Sequence, residues 1–190
     1  MKEKIGFFDI DGVVAETGKA MIELVKNEFK KTWVTIEDIN QYDITKLSWL
    51  NPNEIEFLLE KFAQPDFYIH ISPVNEAPYI TRILKNTGWK IIFITARPSY
   101  LYDLTLFWLK KNHFHFDELI ITNAHEKIKY CINSDKCFFV EDRPDIIERI
   151  AIEMPKMTIF VYDQPWNRSV NIGKRIKRLT DILKTMENKS

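Results

Sequence analysis

Three clusters of polar residues stand out because each follows an apolar run. Gly6-Phe7-Phe8 leads into Asp9-Ile10-Asp11-Gly12, Ile91-Ile92-Phe93-Ile94 into Thr95-Ala96-Arg97, and Phe138-Phe139-Val140 into Glu141-Asp142-Arg143-Pro144-Asp145. A D-x-D pair alone is common in surface loops, but here the first aspartate is reached through an apolar run, which such loops rarely show. Residues i and i+2 of an extended chain point to the same face. Asp9 and Asp11 would therefore present two carboxylates together, and Gly12 lets the chain turn sharply beyond them. Carboxylates crowded at a buried strand end repel each other, and a divalent cation relieves the repulsion. Mg²⁺ takes oxygen ligands, usually one or two carboxylates with waters and often a substrate phosphate. Asp142, at a second strand end, can supply a further carboxylate.

Strands that end together are needed to gather these clusters. Five runs, residues 5–10, 90–95, 118–122, 136–140 and 157–161, are rich in Ile, Phe and Val and do not alternate with polar residues. Such runs suit buried strands of a parallel sheet covered on both faces. Helical spacing recurs between the later runs. Residues 77–86 carry Ile80, Ile83 and Leu84 on one face, with Gly88 as a stop signal. Residues 98–111 carry Leu101, Leu104 and Trp108, and a third helix starts at Pro144 with Ile146, Ile147 and Ile150. The alternation predicts a doubly wound, Rossmann-like α/β fold with a parallel sheet of about five strands.

Residues 15–75 break that rhythm. They hold helix signals and no convincing strand: Met21 to Lys31 with Ile22, Val25 and Phe29 inward, then Asn51-Pro52-Asn53-Glu54 as a capped start before Ile55, Leu58, Leu59 and Phe62. The expected organisation is a core of residues 1–14 plus 76–190 and a small helical cap of residues 15–75. Inserted there, the cap would overlie the carboxyl edge of the sheet, where ligands bind in such folds. Residues 173–184 read as a basic amphipathic helix with Ile176, Leu179 and Leu183 inward.

The composition is that of a globular chain, 45% hydrophobic and 28% charged over 190 residues. With 27 basic and 27 acidic residues the net charge is zero, which argues against a broad basic surface for extended nucleic acid. No apolar run approaches the length of a membrane span. Cys131 and Cys137 are too few for a disulfide framework and read as reduced thiols. The first residues lack the pattern of a signal peptide, so the expectation is a cytoplasmic protein.

Together with a lysine between the second and third clusters, these residues resemble the four short motifs of the haloacid dehalogenase-like (HAD) phosphatase superfamily, in order, across nearly the whole chain outside the cap. The resemblance implies that Asp9 is a nucleophile forming an aspartyl phosphate. Asp11 would be the general acid, then the base that activates water, and its backbone carbonyl would also bind metal. Mg²⁺ would be held by Asp9, Asp11 and Asp142, with Glu141 or Asp145 holding metal-bound water. Thr95 would donate its hydroxyl to a phosphate oxygen, aided by backbone N–H groups of the Ala96-Arg97 turn. Lys127, 15 residues before Asp142, would neutralise the phosphoryl oxygens. Lys129 is the fallback, and Lys136 reads as a solvated charge.

Within the superfamily the chain is most similar to the 5′(3′)-deoxyribonucleotidase group, on residues 94–98, 140–145 and 160–167; Glu141 departs from the Asp that many members carry. That implies a nucleoside monophosphate substrate and a homodimer. Arg97 and Arg143 would grip phosphate or pair with local acids. The aromatic residues Trp33, Tyr42, Trp49, Phe57, Phe62, Phe67 and Tyr68 either form the cap's own core or stack on a base, with Phe67 and Tyr68 favoured for substrate. Two other readings remain at this stage: a phosphatase for a sugar phosphate or nucleic-acid 3′ end, and a non-catalytic binding protein of the same fold.

Overall fold

The computed structural model describes residues 3–187. Its sheet contains β1 (Lys4–Phe8), β2 (Trp89–Thr95), β3 (Glu118–Ile121), β4 (Cys137–Glu141), β5 (Thr158–Tyr162) and β6 (Lys174–Ile176). All neighbours are parallel, in the order β3-β2-β1-β4-β5-β6. The chain builds outward from β1 in one direction, then crosses to β4 and builds outward in the other. That reversal is the topological switch point of an open α/β sheet, and a crevice opens there at the carboxyl ends of β1 and β4.

The unbroken apolar runs follow from burial on both faces. Phe8, Phe93, Phe138, Val140 and Phe160 point to one face. There they meet Ile80 and Leu84 of α4 (Ala77–Asn86), Trp108 and Leu109 of α5 (Tyr102–Lys111), Leu179, and Ile182 of α7 (Asp181–Glu187). Phe7, Ile92, Ile94, Phe139, Ile159 and Val161 point to the other, under Ile146, Ile147 and Ile150 of α6 (Pro144–Glu153). Register locks the alternation: Phe7 pairs with Ile92 and Phe139, and Phe8 with Phe93 and Val140.

Between β1 and β2 lie α1 (Thr17–Phe29), α2 (Pro52–Phe62) and α3 (Pro65–Ile69), with two 3₁₀ turns. Met21, Ile22, Val25, Val34, Ile39, Leu47, Leu50 and Leu58 form a cluster of their own, separate from both faces of the sheet. Helix α2 starts where the sequence predicts. The Asn51 side chain accepts from the Glu54 amide at 3.0 Å, and the Glu54 carboxylate accepts from the Asn51 amide at 2.9 Å. The strands of chain entering and leaving this segment are tied together, Glu16 N–H to Ser72 O and Val74 N–H to Val14 O, both at 2.9 Å.

Two expectations are corrected. The sheet has six strands rather than five, and residues 173–184 do not form one helix. Gly173 adopts φ +78°, residues 174–176 pair with β5 as the short edge strand β6, and a helix begins only at Asp181. Ile176 and Leu179 are buried as the periodicity requires, but a three-residue strand followed by a turn can satisfy the same spacing. Arg175 ties this edge strand to the loop after β5. Its guanidinium donates to Asp163 Oδ1, Asn167 Oδ1, Asn167 O and Val170 O at 2.7–2.9 Å. Among the described residues, no helix is long and apolar enough to cross a membrane.

Candidate active site

Asp9 is the first residue beyond β1, and its amide donates to Val140 O at 3.0 Å, continuing the pairing with β4. That register brings its carboxylate beside the end of β4, where Glu141 is the last strand residue and Asp142 the next. All three acids are buried, and each offers an oxygen within 4.8 Å of the others'. Lys127 reaches the same point from the 3₁₀ helix Ala124–Tyr130. Its ammonium lies 2.8 Å from Asp9 Oδ1 and 2.8 Å from Glu141 Oε2, and it is 1% exposed. Glu141 Oε1 accepts from the Asp142 and Arg143 amides, both at 3.1 Å, which fixes Glu141 as the anchor of the lysine and of the turn.

Three carboxylates against one ammonium leave the cluster short of positive charge. Burial, followed by repulsion from Glu141, raises Asp9 to about 7. Burial also holds Asp142 well above the usual carboxylate range, with Glu141 and Asp9 adding to the effect. For Lys127, burial opposes the charged form, but Asp9 and Glu141 outweigh it and keep the ammonium protonated. Asp9 Oδ1 is met by the Lys127 ammonium at 2.8 Å, whereas Asp142 Oδ1 is buried with no partner. Unpartnered buried carboxylate oxygens are costly unless a cation meets them. These residues therefore fit a hard divalent cation.

Asp11 takes a different role from its neighbour. Its carboxylate turns away from the cluster to Arg97, which donates from Nε to Oδ2 and from Nη2 to Oδ1, each at 2.8 Å. Thr17 donates its hydroxyl to Oδ1 at 2.7 Å. Burial works against ionising Asp11, but Arg97 and then Thr17 outweigh it and hold the carboxyl below its ordinary range. Arg97 is itself buried, with its guanidinium 4.6 Å from the Tyr68 ring and 5.6 Å from that of Trp108. Of the two expected roles for Arg97, the structure shows the pairing with an acid. The same holds for Arg143, which forms a two-point ion pair with Asp145 at 2.7 and 2.9 Å and lies 4.8 Å from the Tyr42 ring.

A cavity of about 190 Å³ opens onto Asp9, Asp11, Thr95, Ala96, Arg97 and Lys127, with Phe62, Phe67 and Tyr68 along its wall. Thr95 ends β2. Its hydroxyl oxygen accepts from the Arg97 amide at 3.3 Å, so its proton is available to another acceptor. A wider cleft of about 470 Å³ adjoins this cavity and shares Asp11, Thr17, Tyr42, Phe62 and Arg143 with it. Met21, Ile39, Ile44 and Leu59 supply its apolar wall.

Comparisons with known proteins identify the family. Residues 3–187 match the family model described as 5′ nucleotidase, deoxy (pyrimidine), cytosolic type C protein (NT5C). The chain belongs to the NT5C nucleotidase family. Among its relatives is a provisionally named nucleotidase of Halalkalibacterium halodurans, 29% identical over 88% of this chain and 83% of the relative. A nucleotidase of Clostridium acetobutylicum is 28% identical over 84% and 80%. Among solved structures, a haloacid dehalogenase-like hydrolase of Streptococcus pneumoniae superposes with TM-score 0.66 at 12% identity, covering 97% of this chain and 98% of that one. A HAD family hydrolase of Deinococcus radiodurans R1, solved with phosphate and sodium bound, gives TM-score 0.66 at 11% identity over 98% and 96%. These two likenesses speak to the fold.

As an NT5C-family member the protein is a phosphatase, a hydrolase of small phosphate esters, and its fold is that of the HAD hydrolases. The structure brings Asp9, Thr95, Lys127 and Asp142 to one point, with Asp11, Ala96, Arg97 and Phe67 at its edge. It sets Asp145 apart, exposed and paired with Arg143, and Lys129 on the surface with Glu126. Tyr68 is buried, and its hydroxyl donates to Phe62 O at 2.9 Å, so it supports Arg97 from beneath. Of two further members of the site, the sequence left one undecided and did not point to the other. Glu141 stood only as one option beside Asp145, although its place inside an apolar strand end marked it as buried. Trp166 was not singled out. Its indole N–H donates to Asp142 Oδ2 at 3.0 Å, a contact across 24 positions of chain that no local pattern announces.

Proposed function

We propose that this protein is a Mg²⁺-dependent nucleoside monophosphate phosphatase working through an aspartyl phosphate. The observation that carries the reading is the buried set Asp9, Lys127, Glu141 and Asp142 beside a cavity lined by Asp9, Thr95 and Lys127, with Asp142 Oδ1 left without a partner. Asp9, Asp142 and the backbone carbonyl of Asp11 would hold Mg²⁺, which when bound offsets the repulsion between carboxylate and phosphate dianion.

Each remaining step falls to side chains. Thr95 and Lys127 hold the phosphoryl oxygens, and Lys127 keeps its charge in the dry site. An oxygen of Asp9 bonds to phosphorus as the ester oxygen departs, taking a proton from Asp11. Water then attacks phosphorus, Asp11 accepts its proton, and the bond to Asp9 breaks to release inorganic phosphate. As it stands, paired with Arg97 and Thr17, Asp11 is a carboxylate suited to the second half. The first half requires it to leave Arg97 and take up a proton.

In this reading residues 15–75 act as the cap over a core of residues 1–14 and 76–190. The 470 Å³ cleft receives the leaving nucleoside, with Tyr42 and Phe62 in its wall, and Phe67 in that of the adjoining cavity, offering ring faces to a base. A cytoplasmic location and a homodimer belong to the same reading, and cell fractionation and sedimentation test them. The deciding experiment measures phosphate release from nucleoside monophosphates and sugar phosphates, with Mg²⁺ and with EDTA. Mg²⁺-dependent release that favours nucleotides and vanishes in Asp9→Asn is expected. Absence of release from every nucleotide would refute the proposal, and release from sugar phosphates alone would remove the nucleotide assignment.

A further inference from the structure

The segment just after β5 supplies the outer support of the acidic cluster. Within residues 164–167, three side chains reach back to the two acidic loops. Gln164 Nε2 donates to Gly12 O at 2.7 Å, Trp166 Nε1 to Asp142 Oδ2 at 3.0 Å, and Asn167 Nδ2 to both Asp142 O at 2.8 Å and Tyr162 O at 2.9 Å. Of these, only the Trp166 contact acts on a carboxylate of the cluster. It occupies one Asp142 oxygen and leaves the other, Oδ1, buried and without a partner.

The packing allows the indole little freedom. Gly12, at φ +79°, lies between Trp166 and Asp142; a Cβ built there would collide with Asp142 Oδ2 and stand 3.3 Å from the Trp166 ring. The ring's outer edge comes within 3.6 Å of a Cβ built on Gly18, at the start of α1, and it packs on the separate apolar cluster of the helical segment. A neutral N–H donor also suits the place. It orients a carboxylate without adding a charge that would compete with a cation, whereas an ammonium there would do the cation's work itself.

We infer that Trp166 is a positioning residue for the metal ligand Asp142: its indole N–H holds Oδ2 so that Oδ1 alone faces the cation. The inference rests on the reading that Asp142 binds Mg²⁺. Partners that orient ligands from outside the coordination sphere typically change metal affinity by about 10–100-fold when removed. Trp166→Phe keeps a ring and deletes the N–H. Calorimetric titration with Mg²⁺ should show binding to this variant weakened by roughly tenfold, and raising Mg²⁺ should restore much of its turnover. Trp49→Phe is the control, because that indole also donates to an oxygen, Asp38 O at 2.9 Å, away from the cluster. It should bind Mg²⁺ as the parent does.

Loss of packing alone would lower the unfolding temperature in EDTA without altering Mg²⁺ affinity. Should Trp166→Phe fail to fold, the ¹⁵N-labelled parent protein answers the question, since Mg²⁺ should displace an indole N–H resonance. Equal Mg²⁺ affinity in parent and Trp166→Phe, or no displaced indole resonance in the parent, overturns the inference while leaving the Mg²⁺ reading intact. No Mg²⁺ binding by the parent protein removes both.

Discussion

Among the described residues, Lys127 is the only cation inside the buried cluster, 2.8 Å from both Asp9 and Glu141. Removing one partner of a buried ion pair leaves the other charge uncompensated, which costs about 3–5 kcal/mol. Here the loss would strand two carboxylates at once, with Asp142 beside them. Lys127→Met should therefore be destabilised by about that amount in urea unfolding at pH 8 without metal. The deficit should shrink at pH 5. Burial and then repulsion from Glu141 already hold Asp9 and Asp142 above the ordinary range, and without the lysine they would take up protons more readily still. A deficit that is the same at both pH values would mean that packing of the lysine stem, rather than its charge, sets the cost. Asp142→Asn should act in the opposite sense. It removes a repelling charge, so the metal-free chain should gain a few degrees in unfolding temperature at pH 8, about the 2–4 °C that each kcal/mol is worth at this size. The same change should sharply reduce the stabilisation by Mg²⁺.

At the scale of elements, the turn after β1 is set by Gly12. Its φ of +79° lies where an L side chain is strained, and a Cβ would meet the Asp142 carboxylate. Gly12→Ala should lose Mg²⁺ binding and about 1–3 kcal/mol of stability, measured by calorimetric titration and urea unfolding. By contrast, Asn51→Ala should cost about 1 kcal/mol of stability through the lost cap of α2 and leave Mg²⁺ affinity unchanged, because Asn51 touches nothing in the site. The contrast between these positions marks what a sequence can show. The start of α2 was legible because capping is local: Asn51, Pro52 and Glu54 lie within four residues. The strand ends bearing Asp9, Thr95 and Asp142 were legible because burial on both faces leaves an unbroken apolar run before each polar residue. Strand β6 was not, since three residues beside Gly173 carry too short a pattern to separate a strand from a helical turn. The bonds from Arg97 to Asp11 and from Trp166 to Asp142 were hidden for a different reason. They are made across the fold, and nothing in the neighbouring residues encodes which acid each donor will meet.

For the molecule as a whole, the cluster links stability, pH and metal. Asp9 and Asp142 hold protons in the folded state that they release near their ordinary value of 3.8 when unfolded; for Asp9 the folded value is about 7. Between those values the folded chain binds more protons than the unfolded one, so stability falls as pH rises. The contribution is fully present below the unfolded value and lost as pH passes the folded one. Carboxylates held low by their partners, such as Asp11, are ionised in both states above about pH 5 and add no slope there. Mg²⁺ acts in the other direction, because it binds the ionised carboxylates and must displace their protons. Its stabilising effect should accordingly be small at pH 5 and grow towards pH 8. Thermal unfolding with saturating Mg²⁺ and with EDTA, at half-unit steps from pH 5 to 8, measures the difference directly. The gap should widen with pH in the parent protein and nearly close in Asp142→Asn. A gap that is constant across the range would place the cation somewhere other than these buried carboxylates, since only groups that exchange protons for metal can make the stabilisation depend on pH in this window.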